Sequence, residues 1–381
     1  MTQGRPLLGT TYDGERGSEE SGDSHGKDAG GLGEKKAAKK RLENGSDGTS
    51  ENPISLQLPL VNEASTSQGG GCGGSARSGH SKKSKTRKRL PDWFRTSLAT
   101  GAGLVRFNET RNAVESGHLN TVCQEAQCPN IHDCWSRGTA TFMVAGEVCT
   151  RGCKFCAVDT KKVPPPLDPE EPQRLAATIE AMQLSYAVIT CVNRDDLTDG
   201  GAAHYRSCLQ AISDRSPNVG LEFLCSDLDG NKEALAMLLK ELPIEVFAHN
   251  VECVPRLDSS VRDSRASFEQ SLMILAEAKR LRPDIPTKSS IMVGVGERDE
   301  EVGEAMQLLR GAGGELLTIG QYLQPSSRHL NIDTFPNPKQ FDEWRIIALD
   351  MGFKAVASGP LVRSSFRAGQ LLEQAREQGA C

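Results

Sequence analysis

The sequence predicts an α/β fold built on a parallel sheet, and its pattern fits an open six-stranded (β/α) barrel. From residue 140 onward, short apolar runs alternate with segments whose apolar positions repeat at helical spacing. Such alternation is typical of right-handed βαβ units. In addition, polar clusters stand directly after the apolar runs, at the carboxyl ends of the strands where barrel active sites form.

Residues 1–87 differ in composition from the rest of the chain. Seventeen of the 38 glycines fall within the first 80 residues, and no Phe or Trp occurs before Trp93. Because such a segment buries too little apolar area to offset its ordering entropy, we predict a disordered tail. Its basic run at 82–89 has no interleaved aromatic residues, which favours a solvated linker over a nucleic-acid site.

Charge and hydropathy exclude several classes of protein. The formal net charge is −5, which does not favour nucleic acid as a partner. No run of 18 apolar residues is present, so no membrane span is predicted. The N-terminus has no apolar signal region and carries acids such as Asp13 and Glu15, whereas import sequences are Arg-rich and poor in acids. We therefore expect a cytoplasmic protein; the mitochondrial matrix is the alternative, which the N-terminus does not support.

Each element of the barrel is predicted from its own stretch of sequence. Strands are predicted at 140–146, 186–192, 220–225, 244–249, 289–293, 316–323 and, last, 353–358. Helices are predicted at 168–182, 202–212, 231–240, 267–281, 300–309 and 338–351. The first of these helices is expected to begin with Asp168 as its N-cap and Pro169 in its first turn.

Six of the twelve cysteines form two triplets within 34 residues. They are Cys123, Cys128 and Cys134 with spacing Cys-x4-Cys-x5-Cys, then Cys149, Cys153 and Cys156 with spacing Cys-x3-Cys-x2-Cys. A structural zinc site and an all-cysteine cluster each use four ligands, so a triplet leaves one metal position for another group. Six thiolates without a well-placed histidine favour iron–sulfur chemistry over zinc. A zinc-dependent scaffold whose basic tail binds nucleic acid is the alternative from a different class.

The segments 121–135 and 141–156 resemble the lipoyl synthases, a family of radical S-adenosylmethionine enzymes. The second triplet alone is typical of the radical S-adenosylmethionine superfamily, whereas both triplets in this order are specific to the family. The resemblance covers residues 88 to about 375 and implies a partial (β/α)6 TIM-like barrel of the radical SAM type. After the tail at 1–87, which composition predicts, it implies an N-terminal extension with an auxiliary cluster at 88–138, the barrel at 139–352 and a C-terminal extension at 353–381.

The resemblance also implies two [4Fe–4S] clusters and S-adenosylmethionine as cofactors. The second triplet would hold the radical-generating cluster, and the first triplet would hold the auxiliary cluster together with Ser365. That serine belongs to Arg363-Ser364-Ser365-Phe366, which matches the family's Arg-Ser-Ser-Tyr motif except that Phe366 replaces the tyrosine. The expected catalytic residues are therefore Cys149, Cys153, Cys156 and Ser365.

Six further residues at strand ends are expected to contact the cofactor or substrate. They are Asn193, Arg194 and Asp195 of the family's Asn-Arg-Asp-Asp motif, with His249, Gly294 and Glu297. Ala248 stands where the family usually has asparagine, and a lone histidine is more often structural than functional.

The implied reaction is radical insertion of two sulfur atoms at C6 and C8 of an octanoyl group on a lysine of a lipoyl carrier protein. The expected partners are octanoylated E2 subunits of 2-oxoacid dehydrogenases, the glycine cleavage H protein, and an electron donor such as ferredoxin or flavodoxin. Another radical sulfur-inserting enzyme is the alternative within the superfamily.

Overall fold

The computed structural model describes residues 89–96 and 98–379. The predicted tail at 1–87 therefore lies outside the described residues. The strands are β1 Asn120–Thr121, β2 Thr139–Val144, β3 Val148–Cys149, β4 Asp159–Thr160, β5 Tyr186–Cys191, β6 Gly220–Leu224, β7 Val246–Ala248, β8 Thr287–Val293, β9 Leu316–Gln321 and β10 Ala355–Gly359. The helices are α1 Gly101–Ser116, α2 Val122–Glu125, α3 Ile131–Ser136, α4 Glu171–Ala181, α5 Ala202–Arg215, α6 Lys232–Leu239, α7 Asp258–Val261, α8 Phe268–Leu281, α9 Asp299–Gly311, α10 Pro338–Asp350 and α11 Ala368–Gly379.

One large sheet organises the described part of the chain. Its strand order is β1-β2-β5-β6-β7-β8-β9-β10, and all neighbouring pairs are parallel except β1 with β2. The six predicted barrel strands are β2 and β5 to β9, in the order of the sequence. The α/β partial-barrel prediction is confirmed. The short ladder β3–β4 lies outside this sheet and carries Cys149.

Local capping explains where several helices begin. The Asn231 side chain accepts a hydrogen bond from the Ala234 N–H at 2.9 Å, and the Ser267 hydroxyl accepts one from the Gln270 N–H at 3.0 Å. Such caps satisfy backbone donors that have no partner in the first turn. The predicted starts at 231 and 267 are therefore confirmed as the N-cap positions of α6 and α8.

The predicted start of α4 is wrong by two residues. The helix begins at Glu171 with Glu170 as its N-cap, and Pro172 stands in the first turn, where its missing N–H costs nothing. Asp168 instead forms the preceding turn, because its carboxylate accepts from the Glu170 N–H at 2.9 Å and pairs with Arg174 at 2.6 Å.

The prediction missed helices at both ends of the described chain, α1 and α11. Helix α11 contacts β5, β9 and β10 through apolar residues, which pack on strand residues such as Tyr186 and Leu316. Those helix residues are Ala368, Leu371, Leu372 and Ala375. Their spacing of three, four and seven residues is itself a helical signal that sequence reasoning could have used. This helix anchors the segment that carries Ser365.

A buried ion pair joins β6 to β8. Lys288 Nζ lies 2.7 Å from Glu222 Oε1, and both side chains are 1% exposed. Glu222 is in register with Val188 and Val246, so it shares their face of the sheet, against which α11 packs. Two charges buried among apolar side chains depend on each other for compensation.

Replacing Lys288 with methionine is expected to lower the free energy of unfolding by roughly 3–5 kcal/mol, because Glu222 would stay buried without a cation. Equilibrium urea unfolding measures this loss. The matched double variant Lys288→Met/Glu222→Leu should regain most of it, since an apolar pair needs no charge compensation. Equal stability of the single variant and the unchanged chain would contradict the prediction.

Among the described residues, none of the helices combines the length and apolar character that crossing a lipid bilayer requires.

Candidate active site and metal centres

A cavity of about 360 Å³ opens at the carboxyl ends of the parallel strands. Residues at or just beyond five of these strands line it, among them Asn193, Asp227, Asn250, Met292 and Tyr322. Its volume lies in the range of small-molecule sites, which run from roughly 300 to 1,000 Å³. The position agrees with the rule that barrel active sites form at the strand ends.

The second cysteine triplet forms one wall of this cavity. Cys149, Cys153 and Cys156 all line it. Two backbone N–H groups point at their sulfurs: that of Arg151 donates to Cys149 Sγ at 3.4 Å, and that of Asp263 donates to Cys153 Sγ at 3.3 Å. Donors placed in this way stabilise negative charge on sulfur.

Arg151, within the loop of the second triplet, ties that loop to two neighbouring strands. Its side chain is 1% exposed and lies 2.7 Å from Asp195 and 2.5 Å from Asp227. Burial alone would raise the pKa of Asp227, but the charge and hydrogen bond of Arg151 hold it below its usual range. The loop is therefore fixed by a buried ion-pair network in addition to the apolar packing of Phe155.

A segment after α7 holds the same loop from the other side. The Asp263 carboxylate accepts from the Gly152 N–H at 2.8 Å, and Arg265 Nη2 donates to the Thr150 carbonyl at 2.7 Å. Arg265 also lies 3.2 Å from Asp195. Sequence reasoning missed Arg151, Asp263 and Arg265, since nothing in the local pattern distinguishes them from surface charges.

The donor set of the second triplet fits an iron–sulfur cluster. Burial raises the pKa of Cys153 to about 11 and that of Cys156 to about 12, so these thiols lose their protons at neutral pH only with a metal ion beside them. Three thiolates on the wall of a roomy cavity would hold a cluster by three corners. The rest of the cavity leaves space for a small molecule beside these three residues.

The first triplet surrounds a second, smaller cavity together with Ser365. Cys123 lies on α2, Cys134 lies on α3, and Cys128 lies between the two helices. Burial raises the pKa of Cys134 to about 12, so metal binding would again displace a proton. The Ser365 hydroxyl accepts a hydrogen bond from Thr141 Oγ1 at 2.9 Å, which ties the C-terminal motif to β2.

A second contact draws the C-terminal motif to the first triplet. Asn130, between Cys128 and Cys134, donates through Nδ2 to the Leu361 carbonyl at 2.6 Å. Three cysteines and one serine therefore offer four metal donors around one small space. This set also fits a four-iron cluster, in which the serine oxygen is a harder ligand than thiolate.

The two cavities adjoin each other. Thr141, Arg363 and Ser365 line both of them. Arg363 is held in place by hydrogen bonds from Nη1 to the Gln321 and Val362 carbonyls at 3.1 and 2.8 Å. A group bound in the larger cavity would therefore reach the donor set of the first triplet without crossing the sheet.

The predicted Asn-Arg-Asp contacts divide into different structural roles. Asn193 lines the cavity, and its carbonyl accepts from the Thr150 N–H at 3.0 Å. Asp195 accepts from Thr150 Oγ1 at 2.6 Å and from Arg151, so it orients the cysteine loop. Arg194 is buried, pairs with Asp196 at 2.8 Å and donates to the Ala145 carbonyl at 3.3 Å, ahead of that loop. Contact of all three with a cofactor remains a prediction.

His249 lines the cavity, but protein atoms engage both of its ring nitrogens. Nδ1 lies 2.9 Å from the Cys225 carbonyl, which only accepts, so this nitrogen carries the proton. Nε2 therefore accepts from the Ser271 hydroxyl at 2.9 Å, and Arg262 donates to the same hydroxyl at 3.0 Å. Burial lowers the pKa of His249 to about 4, so the ring is neutral at pH 7. Its observed contacts fit a structural role.

Gly294 and Glu297 form a turn after β8. The Glu297 carboxylate accepts from the N–H groups of Gly294 and, at 2.9 Å, Val295. Gly294 has φ +88°, and a Cβ there would overlap the Gln321 side chain and the Thr334 carbonyl, so glycine is required. Neither residue lines the cavity, and their contact with a cofactor stays a prediction.

Comparison with known proteins first defines the class of protein. The family model described as the radical SAM superfamily matches residues 143–309, which run from the end of β2 into α9. Together with the barrel and the Cys-x3-Cys-x2-Cys motif that lines its cavity, this match defines a radical S-adenosylmethionine protein. Members of that class use a [4Fe–4S] cluster and S-adenosylmethionine.

Curated relatives then narrow the class to one family. Lipoyl synthase of Marinobacter nauticus is 47% identical over 79% of this chain and 85% of its own length. The mitochondrial lipoyl synthase of Branchiostoma floridae is 46% identical over 76% of this chain and 77% of its own. For the chloroplastic lipoyl synthase of Arabidopsis thaliana the values are 48%, 74% and 72%. This chain belongs to the lipoyl synthase family.

Proposed function

We propose that this chain inserts two sulfur atoms, at C6 and C8 of an octanoyl group that is amide-linked to a lysine of a lipoyl carrier protein. The observation that carries the proposal is the meeting of both cysteine triplets and Ser365 at two adjoining cavities. Unactivated C–H bonds have no acidity for a general base to exploit, so the reaction requires a cofactor that abstracts hydrogen. Family membership supports the same activity.

The proposed ligand sets follow the two cavities. Cys149, Cys153 and Cys156 would hold the cluster that binds S-adenosylmethionine. The auxiliary cluster would be held by Cys123, Cys128, Cys134 and Ser365. When bound, the S-adenosylmethionine cluster would supply the chemistry of hydrogen abstraction, and the auxiliary cluster would supply sulfur. The extensions at 88–138 and 353–381 would then share one metal centre beside the barrel at 139–352.

The protein itself orients the reacting groups and keeps water away from them. Apolar side chains line the larger cavity, among them Val122, Met143, Phe155, Met292 and Leu323. Such a wall matches an eight-carbon chain, which gains free energy of about 25 cal/mol per Å² of apolar area buried. The buried Arg151 network holds the cysteine loop rigidly beside that wall. Rigid placement of this kind is what the protein contributes in cofactor enzymes.

The proposed partners are octanoylated carrier domains, namely the E2 subunits of 2-oxoacid dehydrogenases and the glycine cleavage H protein. Ferredoxin or flavodoxin would donate the electrons. We retain the cytoplasm as the proposed compartment because relatives from bacteria support it. Relatives with mitochondrial and chloroplastic names make organelles the competing locations.

Anaerobically reconstituted protein is expected to contain about eight iron atoms and about eight acid-labile sulfides per chain, as two four-iron clusters require. Colorimetric iron and sulfide analysis measures both quantities. A measured content of about four iron atoms per chain would contradict the proposed auxiliary cluster. A measured content of one or two equivalents of zinc without labile sulfide would contradict the proposed radical reaction.

A further inference from the structure

Two cysteines outside the triplets lie side by side at the carboxyl ends of neighbouring strands. Thr190 of β5 is in register with Leu224 of β6, so the next residues along the two parallel strands, Cys191 and Cys225, stand opposite each other. Neighbouring strands lie about 4.8 Å apart. A disulfide spans Cα separations of roughly 4.4–6.8 Å, so the backbone spacing suits one.

Contacts of the Cys191 sulfur place it beside the backbone on either side of Cys225. The Ser226 N–H donates to Cys191 Sγ at 3.3 Å, and that sulfur lies 3.9 Å from the Leu224 carbonyl oxygen. These two residues flank Cys225 on either side.

The pair faces the active-site cavity. Both Cys191 and Cys225 line it, with Cys225 buried and Cys191 half-buried. The backbone of Cys225 is fixed on both sides, because its N–H donates to the Ala248 carbonyl at 2.8 Å and its carbonyl accepts from His249 at 2.9 Å. A small molecule in the cavity would thus meet two preorganised sulfurs that neither cluster uses.

We propose that Cys191 and Cys225 form a dithiol modification site, which a peroxide converts into a disulfide in the wall of the active-site cavity. Cys191 is the sulfur that attacks the oxidant, and Cys225 is the sulfur that resolves the product. Formation of the disulfide does not depend on the proposed reaction, whereas its expected effect on S-adenosylmethionine cleavage rests on the proposed function.

The surroundings of the two thiols assign these roles. Burial alone would raise the pKa of Cys191, but hydrogen bonds from Cys225 and from the Ser226 N–H hold it below its ordinary value. Burial raises the pKa of Cys225 well above its ordinary value. A thiol of lowered pKa beside a thiol of raised pKa is the arrangement of a reactive cysteine with its resolving partner.

The chemistry balances with a peroxide as the only co-reactant. The Cys191 thiolate breaks the O–O bond of hydrogen peroxide and takes one oxygen as a sulfenic acid, while the other oxygen leaves as hydroxide and gains a proton from Cys225. The Cys225 sulfur then attacks the sulfenic sulfur and releases the second oxygen as water after protonation. Two thiols are oxidised, one peroxide is reduced, and two waters form. A dithiol such as dithiothreitol reverses the modification by exchange.

The position of the disulfide predicts its effect. It would join β5 and β6 just ahead of the segments that carry Asp195 and Asp227, the two carboxylates that hold Arg151 in the cysteine loop. The hydrogen bond from the Ser226 N–H to the Cys191 sulfur would weaken once that sulfur is held in a disulfide. We therefore expect oxidation to reduce cleavage of S-adenosylmethionine and reduction to restore it.

Peptide mapping of cluster-loaded protein tests the proposal directly. Trypsin places Cys191 in peptide 175–194 and Cys225 in peptide 216–232, and each peptide contains one cysteine. After anaerobic treatment with one equivalent of hydrogen peroxide, alkylation and digestion, mass spectrometry should find these two peptides cross-linked with the loss of two hydrogens. Dithiothreitol should return both as alkylated single peptides.

Variants locate the modification. Cys191→Ser and Cys225→Ser should each lack the cross-link, whereas Cys208→Ser, a buried cysteine in peptide 207–215, should keep it. Iron content before and after peroxide separates this modification from cluster loss. Recovery of both peptides in alkylated form from oxidised wild-type protein would overturn the proposal, and so would cross-links that join either cysteine to a triplet cysteine instead. Loss of activity with intact iron but no cross-link would also contradict it.

Discussion

Cys153→Ala is expected to lower the rate of S-adenosylmethionine cleavage by at least about 100-fold, with or without octanoyl substrate. Changes in residues that merely support a metal ligand already cost roughly 10–100-fold, and removal of a ligand should cost more. The other described cysteines that line the cavity are the two triplet partners of Cys153 and the Cys191–Cys225 pair, which lies outside the cysteine loop at the ends of β5 and β6. Anaerobic quantification of 5′-deoxyadenosine measures the effect.

The matched control for this variant is Cys208→Ala. Cys208 is fully buried in α5, belongs to neither triplet and does not line the cavity. It should keep both the iron content and the cleavage rate of the unchanged chain. Circular dichroism of both variants shows whether loss of a cluster has also unfolded the protein. Cleavage by Cys153→Ala at the rate of the control would mean that the second triplet does not bind the cofactor.

Cys128→Ala is expected to separate cleavage of S-adenosylmethionine from insertion of sulfur. It should still cleave S-adenosylmethionine to 5′-deoxyadenosine, since the second triplet is intact, but it should give no thiolated product. The octanoyl substrate should be recovered unchanged. Ser365→Ala should behave in the same way, because both residues contribute to the smaller cavity. Mass spectrometry of an octanoyl-lysine peptide, with 5′-deoxyadenosine measured in parallel, reads out both steps.

Ser364→Ala is the matched control for Ser365→Ala. Both serines line the larger cavity, but Ser365 alone of the two also lines the smaller one and accepts the hydrogen bond from Thr141. Ser364→Ala should therefore retain the full iron content, whereas Ser365→Ala and Cys128→Ala should lose iron. Normal lipoyl product from Cys128→Ala would show that the first triplet does not hold the sulfur source.

Features that depend on nearby residues could be predicted from the sequence. The alternation of strands and helices predicted the sheet, and Asn231 and Ser267 predicted helix starts, because a cap bonds an N–H only three residues away. Where the prediction failed, at Asp168, two competing local partners were available, and the side chain took the turn instead of the cap. Helix α11 was missed although its apolar spacing is present.

The sequence by itself determined the two triplets, since the chain holds cysteines only a few residues apart close to one another. It could not determine which distant residues complete the site. Arg151 pairs with Asp227 across 76 residues, and Thr141 bonds Ser365 across 224, while Cys191 meets Cys225 through strand register. His249 was a candidate by its position, yet the contacts with Cys225 and Ser271 that occupy its ring come from the packing of separate elements. Tertiary structure decided these pairings for two reasons. The register of parallel strands forms only when strands far apart in the chain pack together. A buried charge likewise finds its compensating partner only at that stage.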